Sequence, residues 1–333
     1  MNGGRKREVV VMADGLRIVA MGSGALLCPA MEAIAGAGKD RLALAVTQPD
    51  KPAGRGKRLT ECPAKATASR LGVEVRQPAD VNDGKFVEEL QSLRPDVLLV
   101  AAYGQFLGAE VLGTARFGAI NIHPSLLPRW RGASPMQWAL AEGDAETGVT
   151  VLYVTERMDA GDILAQERTP VGEDETLEGL SARLAETGAR MMMEVLDRFR
   201  EAGTALAGRP QGEEGVIRAR KLKKEDAVVD WSREARVIRN RFRGVWGWPG
   251  AETVLPDGTP LKIHGMALAD GEANAAPGTV IRVDAAGPTV ACGGGTAVTL
   301  TEVQPAGKSR MAGAALVCGR KVKAGDVLGG AAH

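Results

Sequence analysis

Three histidines are all that this 333-residue chain contains, and His333 is its last residue. His264 stands in an alternating segment with no acidic companion in its immediate neighbourhood. His123 is different. It follows Gly118-Ala-Ile-Asn-Ile122 within the string Asn121-Ile-His-Pro-Ser-Leu-Leu-Pro128, where a buried strand gives way to a turn. Side chains alternate along a strand, so Asn121 and His123 face one side and Ile122 the other. A third candidate, Asp159, lies 36 residues downstream in Met158-Asp-Ala-Gly-Asp162, at the turn between two expected strands. A lone histidine at a strand end is ordinarily structural, and a carboxylate on a Gly-containing turn is ordinarily turn chemistry. Together they offer an amide, an imidazole that a carboxylate can hold protonated, and that carboxylate. Such a set stabilises the oxyanion of a tetrahedral intermediate and moves the proton of an attacking amine. Ser125 is the only hydroxyl in the motif and has no G-x-S-x-G elbow around it. Direct transfer to an acceptor amine therefore fits better than a covalent enzyme intermediate.

The elements that must position these residues are legible from the apolar pattern. Leu16–Met21, Leu42–Thr47, Val73–Val75, Asp96–Ala102 and Gly118–Ile122 read as strands, alternating with helices at Leu26–Ala37, Ala64–Leu71 and Phe86–Leu93. The strands are apolar throughout, as expected of a doubly wound, mostly parallel Rossmann-like sheet covered on both faces. Asp96–Ala102 is the most continuously apolar and is expected at the centre. Such sheets bind ligands at the carboxyl ends of their strands, where Asn121 and His123 fall. Val149–Val154 and Ile163–Thr169 read as further strands and Thr176–Arg200 as a long helix. Beyond a Gly-, Pro- and charge-rich stretch the pattern changes to short alternating segments separated by Asp257-Gly258, Asp270-Gly271 and Pro277-Gly278. That is the grammar of a small antiparallel β-barrel, OB-like in class. The expected division is a flexible extension over 1–15, a catalytic domain over 16–203, a linker over 204–215 and the barrel over 216–333.

The formal charge of +1 is too balanced for a chain-wide polyanion binder, but it is unevenly placed. Residues 209–333 carry 18 Lys/Arg against 13 Asp/Glu, and the preceding residues 24 against 28. This asymmetry points to a polyanion that the β-domain helps to hold. No apolar run reaches the roughly 18 residues a membrane span needs. The four cysteines form no CxxC pair and have no nearby histidines, which argues against a metal site and against a disulfide framework. A cytoplasmic, metal-free protein with no membrane attachment is expected. Gly22-Ser-Gly24 after the first strand invites a dinucleotide reading, but the third glycine of G-x-G-x-x-G falls on Leu27 and no acidic residue ends the second strand.

The N-x-H-P-S-L-L-P string with its downstream D-A-G-D resembles the folate-dependent formyltransferases. Further segments resemble the methionyl-tRNA formyltransferase family within them: Thr47-Gln-Pro-Asp-Lys-Pro-Ala-Gly-Arg-Gly-Lys57, Ala101-Ala-Tyr-Gly104, Leu127-Pro-Arg-Trp-Arg-Gly-Ala133 and Gly143–Thr150. In the second half, Ala219-Arg-Lys-Leu-Lys-Lys-Glu-Asp226, Asp230-Trp-Ser232, Trp248-Pro-Gly-Ala251, Ala276-Pro-Gly-Thr279 and Gln304–Lys308 match as well, collinear from about Leu16 to Gly329. The resemblance implies transfer of the formyl group of 10-formyltetrahydrofolate to the α-amino group of methionyl initiator tRNA by a monomeric enzyme. It assigns Asn121, His123 and Asp159 as the catalytic trio. Ser125, Leu126, Leu127 and Pro128 would line the folate pocket, with Tyr103 and Gly104 as its neighbouring wall.

The long loop between Gln48 and Lys65 carries Lys51, Arg55, Lys57 and Arg58, and the resemblance implies that it enters the acceptor stem of the tRNA, with Arg55 central. Lys221, Lys223 and Lys224 would be phosphate contacts that add affinity without reading sequence. The chain departs from the family at Gly22-Ser-Gly-Ala-Leu-Leu-Cys-Pro29, where a G-T-P-x-F-A segment is usual and has been implicated in accepting the methionyl end. Leu26 and Leu27 are the candidates to replace its aromatic residue. Two other readings compete: a formyltransferase acting on an amino sugar nucleotide, against which the basic loop argues, and a non-catalytic RNA-binding relative, against which the intact trio argues.

Overall fold

A computed structural model describes residues 15–53, 58–319 and 321–329. The expected 1–15 extension therefore lies outside the described residues except for Gly15. Among the described residues no helix is long and apolar enough to cross a membrane. The chain divides into two compact units, one made of residues 1–135, 146–170 and 178–219, the other of 136–145, 171–177 and 220–333.

The first unit is built on β1 (Arg17–Met21), α1 (Cys28–Ala37), β2 (Arg41–Val46), a small hairpin of β3 (Lys51–Ala53) and β4 (Arg58–Thr60), α2 (Pro63–Arg70), β5 (Val75–Arg76), α3 (Gly84–Leu93), β6 (Val97–Val100), α4 (Ala109–Leu112) and β7 (Ala119–His123). There follow β8 (Arg131–Gly132), α5 (Pro135–Ala141, counted with the second unit from Met136), β9 (Glu146–Tyr153), β10 (Ile163–Pro170), α6 (Leu177–Ala202) and β11 (Arg218–Ala219). The main sheet runs β10-β9-β7-β6-β1-β2-β5. Its strands from β7 to β5 are parallel, while β9 and β10 pair antiparallel. All four residues of β6 are buried and β6 is the middle strand of the seven, as its unbroken apolar run leads one to expect. Chain order reverses direction across the sheet between β1 and β6, which opens the crevice at their carboxyl ends.

Local chemistry ends and starts these elements where the sheet needs them. The Asp83 carboxylate accepts from the amides of Lys85 and Phe86 and so caps α3. Pro29 sits in the first turn of α1, and Gly38 ends that helix at φ +61°. The 26-residue α6 buries Leu180, Leu184, Gly188, Met191, Met192, Leu196 and Phe199. Ile122 turns to this helix side, away from Asn121 and His123, as strand alternation requires.

The second unit contains α7 (Ala235–Gly244), β12 (Ala251–Val254), β13 (Pro260–Ala269), β14 (Val280–Asp284), β15 (Gly287–Ala291), β16 (Ala297–Pro305), β17 (Met311–Ala312) and α8 (Gly313–Cys318). Its antiparallel sheet runs β12-β13-β16-β15-β14, with β17 on β16. The two outer strands are joined through the segment after α8. Gly329 bridges Val254 of β12, and Val327 bridges Thr279, the residue before β14. Gly258, Gly271 and Gly278 occupy the left-handed region at φ +82°, +90° and +88°, in the turns their Asp-Gly and Pro-Gly pairs announce. The pattern alone did not disclose α7, α8 or β17, which are short and packed on the sheet by contacts distant in sequence.

Candidate active site

β7 delivers Asn121 and His123 to one face, and the loop between β9 and β10 brings Asp159 back to them. The Asp159 Oδ1 atom lies 3.6 Å from His123 Nδ1 and 3.4 Å from Asn121 Nδ2. The three residues expected to converge do so. The imidazole is almost fully enclosed, with 5% of its side chain exposed, while 15% of the Asp159 side chain reaches solvent.

The contacts that hold these groups are shorter than those among them. His123 Nε2 lies 2.9 Å from the carbonyl of Trp130. A carbonyl only accepts, so Nε2 carries a hydrogen and the remaining ring nitrogen is the one that faces the carboxylate. The amide of Gly132 donates to Asp159 Oδ2 at 2.9 Å. With both nitrogens protonated, the ring has an acceptor on each side. At 3.4 and 3.6 Å the contacts among the three groups are long, so they stand side by side rather than tightly bonded to one another. Among the described non-glycine residues, Asp159 (φ +50°), Trp130 (φ +66°), Ala102 (φ +47°) and Arg94 (φ +48°) have left-handed backbone. Two of the four thus belong to this one cluster, where surrounding contacts must over-determine the conformation. Gly161 allows the turn to close: a Cβ there would stand 1.9 Å from the carbonyl oxygen of Tyr153.

The turn after β7 is fixed by its own network. Ser125 is fully buried, and its Oγ donates to the carbonyl of Arg129 at 2.8 Å, so it is a structural hydroxyl in this arrangement. Thr150 donates to the Ser125 carbonyl at 2.7 Å and accepts from Gln166 and from the Leu127 amide. Leu127 packs with Leu152 and Ile163, leaving Leu126 and Pro128 as the half-exposed apolar members of the string. The Leu127-Pro128 peptide is cis. Tyr103 is 3% exposed and packs in a core cluster with Val81, Leu107 and Val111. Burial pushes its hydroxyl well above the usual phenol range, and that hydroxyl has no hydrogen-bond partner. Gly104 (φ +83°) is the exposed member of that pair. Leu26 and Leu27, the candidates to replace the missing aromatic, are 5% and 1% exposed and belong to the core.

Of the basic residues, Lys51 is exposed on β3. Arg55 and Lys57 lie outside the described residues, and for Arg58 only the backbone, in β4, is described. Lys65 is committed to Asp50 at 2.5 Å and to Gln77. In the second unit Lys221, Lys223 and Lys224 are exposed, while Leu222 and Asp226, between and after them, are buried. Asp226 closes this loop. It accepts from both terminal nitrogens of Arg220, from Arg241 and from the Lys223 amide. Both guanidinium groups lie over the Trp138 ring, 4.6 and 4.8 Å from its centroid. Arg220 beside it holds the Asp226 carboxyl down to about 2. Among the described residues, no group of three or more His, Cys, Asp or Glu could hold a metal ion.

Sequence reasoning named the trio but not its supports. Trp130, Gly132 and Thr150 act through backbone groups or buried hydroxyls, which residue type does not advertise. Gln211 lies in the stretch read as a linker. Its side chain donates to the carbonyls of Asp159 and Gly161 at 3.0 and 2.7 Å, and Arg209 nearby bridges Ile163 of β10.

A formyl transferase domain model matches residues 16–196, and a formyl transferase C-terminal domain model matches residues 221–321. The chain is 41% identical over 315 residues to the methionyl-tRNA formyltransferase of Geotalea uraniireducens (strain Rf4), covering 95% of this chain and 98% of that one. It is 45% identical over 294 residues to the methionyl-tRNA formyltransferase of Anaeromyxobacter sp. (strain K), covering 88% and 93%. Among solved structures it resembles HypX from Aquifex aeolicus in complex with tetrahydrofolic acid, with a TM-score of 0.61 and 19% identity over 93% of this chain. This chain spans about half of HypX, 48% of its length, and the likeness is one of fold. By sequence and by domain content, the chain belongs to the methionyl-tRNA formyltransferase family of formyl transferases.

Proposed function

We propose that this protein transfers the formyl group of 10-formyltetrahydrofolate to the α-amino group of methionyl initiator tRNA, with Asn121, His123 and Asp159 as its catalytic residues. The observation that carries the reading is the convergence of an amide, an imidazole and a carboxylate on one point, with Asp159 Oδ1 within 3.6 Å of both partners. The donor set suits a formyl donor: two N–H groups to meet a carbonyl oxygen, and one carboxylate beside the position an amine must take. The bound folate supplies the formyl carbon, which gains a bond to the acceptor nitrogen and loses its bond to the folate nitrogen, where the amine's proton ends.

The residues divide the work. Asn121 donates a hydrogen bond to the formyl oxygen as it gains charge, and one such donor is typically worth about 10²–10³ in rate. His123 is the second donor, through Nδ1: the Trp130 carbonyl holds Nε2 and fixes the ring, while the 3.6 Å gap from Nδ1 to Asp159 leaves that nitrogen able to turn its hydrogen to the formyl oxygen. Asp159 is also placed to accept the amine's proton and pass it on. Ser125 and Leu127 shape the turn that presents Leu126 and Pro128 to the folate, and Gly104 leaves room beside it, with Tyr103 supporting from the core. Lys51, Arg55, Lys57 and Arg58 on one unit and Lys221, Lys223 and Lys224 on the other hold the tRNA through its phosphates. The catalytic domain is read as 16–203, joined through 204–215 to a tRNA-holding barrel over 216–333.

The test is incubation with 10-formyltetrahydrofolate and charged initiator tRNA, following formyl transfer to the aminoacyl end. Turnover is expected with that acceptor and not with an amino sugar nucleotide; the opposite pattern rejects the reading in favour of the sugar-directed alternative.

A further inference from the structure

We infer that Gln211 is a positioning residue for the reaction: its amide fixes the turn that aims Asp159 at His123, and buried Arg131 fixes Gln211 in turn. The inference rests on the assignment of Asp159 as the carboxylate that acts with His123.

The amide orientation follows from its partners. Gln211 Oε1 accepts from Arg131 Nε at 3.1 Å and Nη2 at 2.9 Å, and a guanidinium only donates. Gln211 Nε2 must then face the other way, where it donates to the carbonyls of Asp159 (3.0 Å) and Gly161 (2.7 Å). One side chain therefore spans both ends of the Asp159-Ala-Gly161 turn. Asp159 needs such a hold because its left-handed backbone, φ +50°, is disfavoured for a residue that carries a Cβ. Arg131 is 7% exposed and anchored by its own amide to the Ile217 carbonyl. Its neighbour Gly132 donates to the Asp159 carboxylate. Arg131 and Gly132, adjacent on β8, thus grip Asp159 twice: the carboxylate directly and the main chain through Gln211. The hydrogen bonds of the Gln211 side chain go to Arg131, Asp159 and Gly161 rather than to His123 or Asn121, so its contribution passes through the aim of Asp159.

The experiment is steady-state kinetics on the full chain with both substrates. Gln211→Ala is expected to lower kcat on the order of 10²-fold, the loss that a misplacement of about 1 Å can bring, with both KM values within about twofold. Gln211→Glu keeps the length and the Arg131 contact but sets oxygen against two carbonyls, so kcat is expected to fall at least as far. Arg131→Lys, which keeps the charge and loses the fork, is expected to give an intermediate loss and covers the case in which a Gln211 variant fails to fold. In an Asp159→Asn background, at enzyme concentrations where residual turnover is readable, Gln211→Ala should cost less than about threefold. The inference is overturned if the Gln211 variants keep kcat within threefold, or if the loss is the same factor in both backgrounds, as simple loss of folded enzyme would produce. If Asp159→Asn alone retains wild-type kcat, it is the assignment of Asp159 that fails.

Discussion

Gly188 of α6 backs directly onto Ile122 of β7: a Cβ at Gly188 would stand 2.6 Å from Ile122 Cγ2. Ile122 is the residue between Asn121 and His123, so the closeness of the helix fixes the roll of the strand that presents both. Gly188→Ala is expected to lower the melting temperature, because overpacking of about 1–3 kcal/mol exceeds the helix-propensity gain of about 1 kcal/mol. It should also lower kcat by tilting β7. A raised melting temperature with unchanged kcat would show that the core can yield at this point.

His123→Ala should abolish turnover while leaving the melting temperature close to wild type or moderately reduced, and Asn121→Ala should lower kcat by about 10²–10³. If activity of the His123 variant survived within tenfold, a barrier change of only about 1.4 kcal/mol, the mechanism would be wrong.

How much of this was legible beforehand differs between levels. The strand-helix alternation and the continuous apolar runs predicted the first sheet well, because β1, β2, β6 and β7 are buried on both faces and carry an unmixed signal. Asn121 and His123 were legible because strand alternation is a local rule. Asp159 stood out by residue type alone, as a carboxylate on a Gly-containing turn, since no local rule brings residue 159 back to residue 123. Gln211 was illegible for a physical reason: Gly208, Pro210 and Gly212 give its surroundings the composition of a linker, while its role is made by hydrogen bonds across 50 and 52 residues of sequence. α7 spaces Ala235, Ile238 and Phe242 at helical intervals, but it is only ten residues long and otherwise mostly polar, so its signal is small beside the surrounding strand-like alternation.

Asp226 makes a pH prediction. Its folded-state value, about 2, lies below the unfolded value of about 3.9. A depressed carboxyl contributes stability that is present above about pH 4 and is lost as pH falls toward 2. For this buried group the contribution is on the order of 2–3 kcal/mol. Acid unfolding followed by circular dichroism should therefore show wild-type stability falling between pH 4 and 2, and Asp226→Asn should flatten that dependence while lowering stability at neutral pH. An unchanged acid profile would contradict the role given to the Arg220 and Arg241 pairs.

The affinity for tRNA should fall steeply with salt. Each phosphate contact removed lowers the slope of log K against log salt by about 0.7–0.9, so replacing Lys221, Lys223 and Lys224 together by Ala should lower it by roughly 2–3. A slope unaltered by the triple substitution would mean that these lysines stay clear of the backbone phosphates.

The cysteines should separate by reactivity. Burial pushes the Cys292 thiol up to about 11, whereas Cys318 is exposed. A thiol reagent at about pH 8 should label Cys318 in the native protein and Cys292 only on unfolding. Equal labelling rates would contradict the burial of Cys292.

The closure of the second unit's sheet by residues 327–329 sets an order on its folding. Val254 must wait for Gly329, 75 residues later, before its outer edge is satisfied, and Thr279 must wait for Val327. During synthesis the outer edge of β12 is therefore paired only at Glu252, by the Val228–Val229 segment, while Val254 and Thr279 stay bare until residues 327–329 are translated. That interval is when a chaperone has most to protect, and a shortening of the chain by a few residues before Val327 would make it permanent.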